Sequence, residues 1–176
     1  TIDREKAVEM LQEGMKQIHR MDVFIDSMQK MNSLEHRTLK AERISSAQLE
    51  KDIQGELDIL GKEKDIRLSV CQTDEVFQGD QEVIMEVLEN LLSNAIRYSR
   101  KRIDIKVSLT SELLTISVQD DGNGFLEDAE KVTSAFHQKN IKDSLTHTGM
   151  GMYLARLYCE KHGGKLLLDN EKSGGA

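Results

Sequence analysis

This sequence predicts an α+β fold: a mixed, largely antiparallel sheet covered on one face by helices, with a long amphipathic helix ahead of it. Three observations carry that prediction. Apolar residues recur at helical spacing over 3–34, 49–60, 80–98 and 151–162. Period-two runs fall between them at Ile66, Leu68 and Val70, at Ile103, Ile105, Val107 and Leu109, and at Leu114, Ile116 and Val118. Punctuation comes from 12 glycines, and with no proline in the chain no helix is interrupted by one.

The first helix, over 3–34, places Leu11, Met15, Ile18, Ile25, Met28 and Met31 on one stripe with charged residues between them. Five of the eight methionines lie here without a His or aromatic cluster, which reads as an adaptable apolar face and not a metal site. A helix this long needs a partner, either another helix or a second chain. Residues 35–44 are charged, contain nothing that looks like core, and read as a linker. The domain division expected is therefore 1–36 and 37–176.

Helical spacing returns with Leu49, Ile53, Leu57 and Leu60 and is broken by Gly61-Lys62-Glu63-Lys64. A strand over Ile66–Val70 follows, then Gly79-Asp80 caps a helix that runs to about Ser99. Thr110-Ser111-Glu112 is a hairpin loop between the next two strands. The polar run 126–147 has the character of a lid, and Gly163-Gly164 ends the last helix. Leu166-Leu167-Leu168 reads as a strand and Lys172 to Gly175 as a turn, with a closing strand expected beyond Ala176.

The formal charge of −7 disfavours nucleic acid as a main partner. Cys71 and Cys159 lack metal-ligand spacing and read as reduced thiols. No apolar stretch approaches the roughly 20 residues that span a bilayer, so a soluble, intracellular chain is expected.

Three segments carry chemistry. On the 80–98 helix, Asn90, Asn94, Arg97 and Tyr98 form a polar stripe beside the apolar arc of Ile84, Leu88, Leu91, Leu92, Ala95 and Ile96. An Asn oxygen can ligate Mg²⁺ without adding charge beside a triphosphate, Arg97 can neutralise phosphate, and Tyr98 offers a flat face to a base. Two solvated asparagines would look the same from this helix alone. Asp120-Asp121-Gly122-Asn123-Gly124 follows directly on a strand. By parity Asp120 shares the inward face with Leu114, Ile116 and Val118, where a carboxylate must be paired or must read a ligand. It would accept from the amino group of adenine and reject guanine, while Gly122 and Gly124 allow close backbone approach. Asp121 is expected to be the more exposed of the pair. Thr148-Gly149-Met150-Gly151-Met152 opens a helix, where free N–H groups and the dipole suit phosphate. Lys139 and Lys142 lie in the lid ahead of it.

Together these segments resemble the nucleotide-binding signatures of sensor histidine kinases, within the wider gyrase, heat-shock and mismatch-repair ATPase group. The resemblance covers nearly the whole chain. It implies an ATP-binding sandwich with Asn94 as Mg²⁺ ligand, Asp120, Gly122 and Gly124 as the first glycine box, and Thr148 to Met152 as the second. Arg20 to Glu35 resembles the end of the second helix of a dimerisation hairpin. The cofactors implied are ATP and Mg²⁺. The partners implied are a response-regulator receiver domain and a second copy of the chain. The location implied is the cytoplasmic portion of a protein that can be membrane-anchored.

Departures from the family pattern bear on mechanism. His147 stands where the family usually has glycine, and Ala135-Phe136 matches half of a paired-phenylalanine box. Asn90 occupies the position of the Glu base in ATP-hydrolysing relatives, which disfavours a gyrase-type clamp. None of the five histidines precedes an acidic residue, as the family's phosphoacceptor does. Binding of ATP without self-phosphorylation is the expectation, and a degenerate, non-catalytic dimerisation module is the alternative.

Overall fold

A computed structural model describes residues 3–60, 63–134, 149–170 and 175–176. Contacts divide the chain into two units, with α1 (Arg4–His36) in the first, and Thr38–Thr133 with Gly151–Ala176 making the second.

Helix α1 has 33 residues, about 50 Å at 1.5 Å per residue. Met10, Leu11, Met15, Ile18, Met21 and Ile25 are all exposed on it. Its C-terminus closes with the Arg37 amide donating to the Leu34 carbonyl at 3.3 Å.

In the second unit the order is β1 (Glu42–Ser45), α2 (Ser46–Leu60), β2 (Asp65–Val70), β3 (Val76–Gly79), α3 (Gln81–Tyr98), β4 (Arg102–Leu109), β5 (Leu114–Asp120), α4 (Ala129–Val132) and α5 (Gly151–Lys161). Strands β2, β4 and β5 form one sheet in the order β2-β4-β5, with β2 parallel and β5 antiparallel to β4. The parallel pair requires a crossover, which α3 supplies; the antiparallel pair is closed by the short loop at 110–113. Strands β1 and β3 pair antiparallel as a separate ribbon. Mixed, largely antiparallel sheet and flanking helices match the predicted class.

The core is built where helical and strand periods meet. Ile103, Ile105 and Val107 of β4 face Leu49, Ile53 and Leu57 of α2 and Ile84, Leu88, Leu92 and Ala95 of α3 in one cluster. Fully burying side chains of this size contributes about 1.5–3 kcal/mol each. Helix α5 adds Met152, Leu154, Ala155 and Tyr158 to the buried set.

Two expectations are corrected. The segment 35–44 is not empty linker: α1 extends to His36 and Ile44 on β1 is completely buried. One apolar residue in a four-residue strand has no period to detect. Leu166–Leu168 is not in a strand, because no described strand runs beside it to accept its backbone hydrogen bonds. The predicted turn at 172–175 falls mostly outside the described residues.

Asp80 fixes the start of α3. It is 0% exposed, and its carboxylate accepts from the Val83 amide (3.3 Å) as N-cap and from the Lys40 amide (3.0 Å). Its own N–H donates to His162 Nε2 at 3.1 Å. That Nε2 must then be the acceptor nitrogen, so the proton sits on Nδ1 and is donated to the Tyr158 carbonyl at 3.1 Å. The end of α5 is thereby tied to the start of α3. Replacing Asp80 with alanine strands two N–H groups and is expected to cost about 2–4 kcal/mol, measurable as a lowered urea midpoint with unchanged slope.

Candidate nucleotide site

Asp120 ends β5, 9% exposed, opposite Ile103 of β4. Its Oδ1 accepts from the Gly122 amide at 2.7 Å, which folds the chain back over the carboxylate. Gly122 lies against the Tyr98 carbonyl so closely that there is no room for a Cβ. The glycine is required here by close approach.

The neighbouring carboxylate has a different task. Asp121 Oδ1 accepts from the amides of Arg100 (2.8 Å) and Lys101 (3.0 Å), and its own amide donates to the Arg102 carbonyl at 3.2 Å. The Lys101 amide, then desolvation opposing it and the Arg102 and Arg100 amides supporting it, leave the Asp121 carboxyl below the usual range. Burial, partly offset by the Gly122 N–H, pushes the Asp120 carboxyl above it. Asp121 fastens the turn to the segment after α3, while Asp120 is the more buried of the two, as parity predicts.

Gly124 has φ +71, in the left-handed region open to glycine. Beyond it, Asn170 brackets Phe125: Asn170 Oδ1 accepts from the Phe125 amide and Asn170 Nδ2 donates to the Phe125 carbonyl, both at 2.7 Å. Both ends of one side-chain amide thus hold the far side of the glycine loop.

On α3, Asn90 Nδ2 donates to the Glu86 carbonyl at 2.8 Å, and its Oδ1 lies where a Cβ on Gly151 would approach to 3.1 Å. Asn94 is half-buried one turn on. Tyr98 is 39% exposed, and the Arg97 guanidinium covers its ring at 5.2 Å from the centroid. One face of the ring is therefore taken by a cation.

Asn90 and Gly151 are adjacent, as are Tyr98, Asp120 and Gly122. Gly151 and Met152 begin α5, whose first N–H groups have no helical acceptor. Gly149 has φ +72 and Met150 is buried. Lys139 and Thr148 lie outside the described residues, as do Phe136, Lys142 and His147. Sequence reasoning missed His162 as a tie, Asn170 as a bracket and Lys64, whose Nζ donates to the Ser99 carbonyl. Among the described residues no helix is long and apolar enough to cross a membrane.

A family described as "Histidine kinase-, DNA gyrase B-, and HSP90-like ATPase" matches residues 79–176. The sensor histidine kinase WalK of Bacillus subtilis is 37% identical over 103 residues, 54% of this chain and 17% of the relative. The sensor histidine kinase CpxA of Escherichia coli is 27% identical over 150 residues, 84% of this chain and 32% of the relative. The chain thus spans less than a third of these relatives' length. Among solved structures, full-length ShkA in complex with AMPPNP is similar in fold at TM-score 0.72 and 18% identity, covering 99% of this chain and 37% of that one.

Proposed function

The chain belongs to the histidine kinase-, DNA gyrase B- and HSP90-like ATPase family, and from that premise we propose that it binds Mg-ATP for phosphoryl transfer to a histidine outside these 176 residues. The phosphoryl group would then pass to an Asp on a response-regulator receiver domain. The catalytic domain is of the histidine-kinase type, as its curated relatives are. The observation that carries the nucleotide reading is Asp120: a buried carboxylate at a strand end, held by the Gly122 amide beside Tyr98.

Each group has a task. Asp120 accepts from the adenine amino group. Tyr98 and the glycine loop bound the base. Arg97 and the free amides at the start of α5 meet phosphate charge. Mg²⁺, when bound, neutralises phosphate charge in the transfer. Asn94 would hold it with its amide oxygen, and the donor set fits. Among the described residues no cluster of three His, Cys, Asp or Glu competes for a metal, and Mg²⁺ takes its other ligands from phosphate and water. Residues 1–36 would serve as the second helix of a dimerisation hairpin, with the exposed stripe of α1 packing in a helical bundle of two copies.

Calorimetric titration tests the reading. Mg-ADP is expected to bind at micromolar level with Mg-GDP at least ~100-fold weaker, because guanine places an acceptor against Asp120. No binding by the folded chain would favour the non-catalytic module, and equal affinity for the two would overturn Asp120 as the reader of adenine.

A further inference from the structure

The turn after Asp120 is held at three consecutive residues by the chain that leaves α3. Asp121 Oδ1 accepts from the Arg100 amide at 2.8 Å and the Lys101 amide at 3.0 Å. Gly122 is buried against the Tyr98 carbonyl, too close for a Cβ. Asn123 Oδ1 accepts from Nη2 of the Arg100 guanidinium at 2.9 Å. Arg100 therefore holds the residue before Gly122 with its backbone and the residue after it with its side chain.

Between those two contacts sits the group that aims Asp120. The Gly122 amide donates to Asp120 Oδ1 at 2.7 Å. A turn that lifts off the Tyr98 carbonyl carries this amide away and frees the carboxyl to rotate. Asp121 restrains the turn on one side of Gly122, and the Arg100–Asn123 bond restrains it on the other. Both Arg100 and Asn123 are exposed, so a bond between them adds little to global stability. Its effect is local, on the geometry of a buried acceptor, and binding is sensitive to small misplacements of such a group.

We infer that Arg100 is a positioning residue for the adenine-reading turn: its guanidinium holds Asn123 and so keeps Gly122 seated on the Tyr98 carbonyl, with its amide on Asp120. The inference rests on the nucleotide reading above and names a residue outside the three motif segments.

Mg-ADP titrations of the wild type, Arg100→Ala, Asn123→Ala and the double variant form the test, with melts alongside. The Arg100 amide still reaches Asp121 in every variant, so only the side-chain arm is removed. Each single substitution should weaken binding about 3-fold, with melting temperatures within about 3 °C of the wild type. Arg100→Ala should cost nothing further once Asn123 is alanine, because both changes remove the same bond. A loss that persists in full in the Asn123→Ala background would overturn the inference and leave Arg100 a charge that attracts phosphate. Unchanged affinity in both single variants would overturn it as well. Amide exchange of Gly122 in nucleotide-free protein is the independent readout. It should quicken at least ~3-fold in Arg100→Ala and in Asn123→Ala, while amides within β4 keep their rates. An unchanged Gly122 rate overturns the inference whether or not nucleotide binds. If the wild type does not bind Mg-ADP, the nucleotide reading falls, and quickened Gly122 exchange in the variants would still establish the hold of Arg100 on the turn.

Discussion

Asp120→Asn is expected to weaken Mg-ADP binding by about 100-fold, ~3 kcal/mol, while leaving the empty domain at least as stable as the wild type. The carboxylate has only acceptors, and it already uses Oδ1 for the Gly122 amide while the Ala176 backbone also favours its charge. An asparagine has one oxygen to share. If that oxygen stays with Gly122, the NH₂ group faces the amino group of adenine. If it turns to the base, the NH₂ group meets the Gly122 N–H. Both arrangements set donor against donor.

Burial raises the Asp120 carboxyl above its unfolded value, against the opposing Gly122 amide. A carboxyl raised on folding contributes stability below its unfolded value and loses that stability as pH rises through the folded value. At neutral pH the ionised Asp120 is thus a cost borne by the empty fold, and asparagine does not titrate. Thermal melts of wild type and Asp120→Asn at pH 7, beside the titrations, separate the two effects. A variant that melts many degrees lower would mean that binding was lost with the fold.

What could be read from residues alone divides along the range of the interactions. Helix α3 and strands β4 and β5 carry their pattern within a dozen residues, so Leu88, Leu92, Ile103 and Ile105 declare the core and Asp120 declares its inward face by parity. Strands β1 and β3 are four residues each and stabilise one another across α2 and β2. Neither has enough alternation to be seen alone. Leu166–Leu168 shows the opposite failure, strand-like composition with no described neighbour to pair with. The ties that set the site are longer still. Asp80 with His162, Phe125 with Asn170, and Lys64 with Ser99 join residues 82, 45 and 35 apart. Nothing local marks a lysine in a turn as the partner of a helix end. The glycine motif shows which residues meet the ligand, whereas their supports are set by the topology.

Gly122→Ala is the sharpest probe of that support. The glycine has no left-handed φ to protect, so the effect comes from space alone. A Cβ there would overlap the Tyr98 carbonyl and sit 2.7 Å from Asp120 Oδ1. The first neighbour is backbone at the end of α3, whose Ser99 amide is bonded to the Ala95 carbonyl at 2.8 Å and whose Ser99 carbonyl is held by Lys64. It cannot withdraw without releasing one of them. The turn must move instead, which stretches the Gly122–Asp120 bond and the Asp121 contacts to Arg100 and Lys101. Overpacking of this kind costs about 1–3 kcal/mol, a fall in Tm of roughly 2–12 °C for a chain of this size. Mg-ADP affinity is expected to fall at least ~10-fold in protein that is still folded, because the misplaced group is the base-reading carboxylate. Gly55→Ala is the control: its Cβ meets nothing within 4 Å on α2, so it should raise stability by up to about 1 kcal/mol and leave affinity unchanged. A Gly122→Ala domain that melts and binds like the wild type would mean that the turn is free to slide past α3, and that the close packing of Gly122 on the Tyr98 carbonyl does not position Asp120.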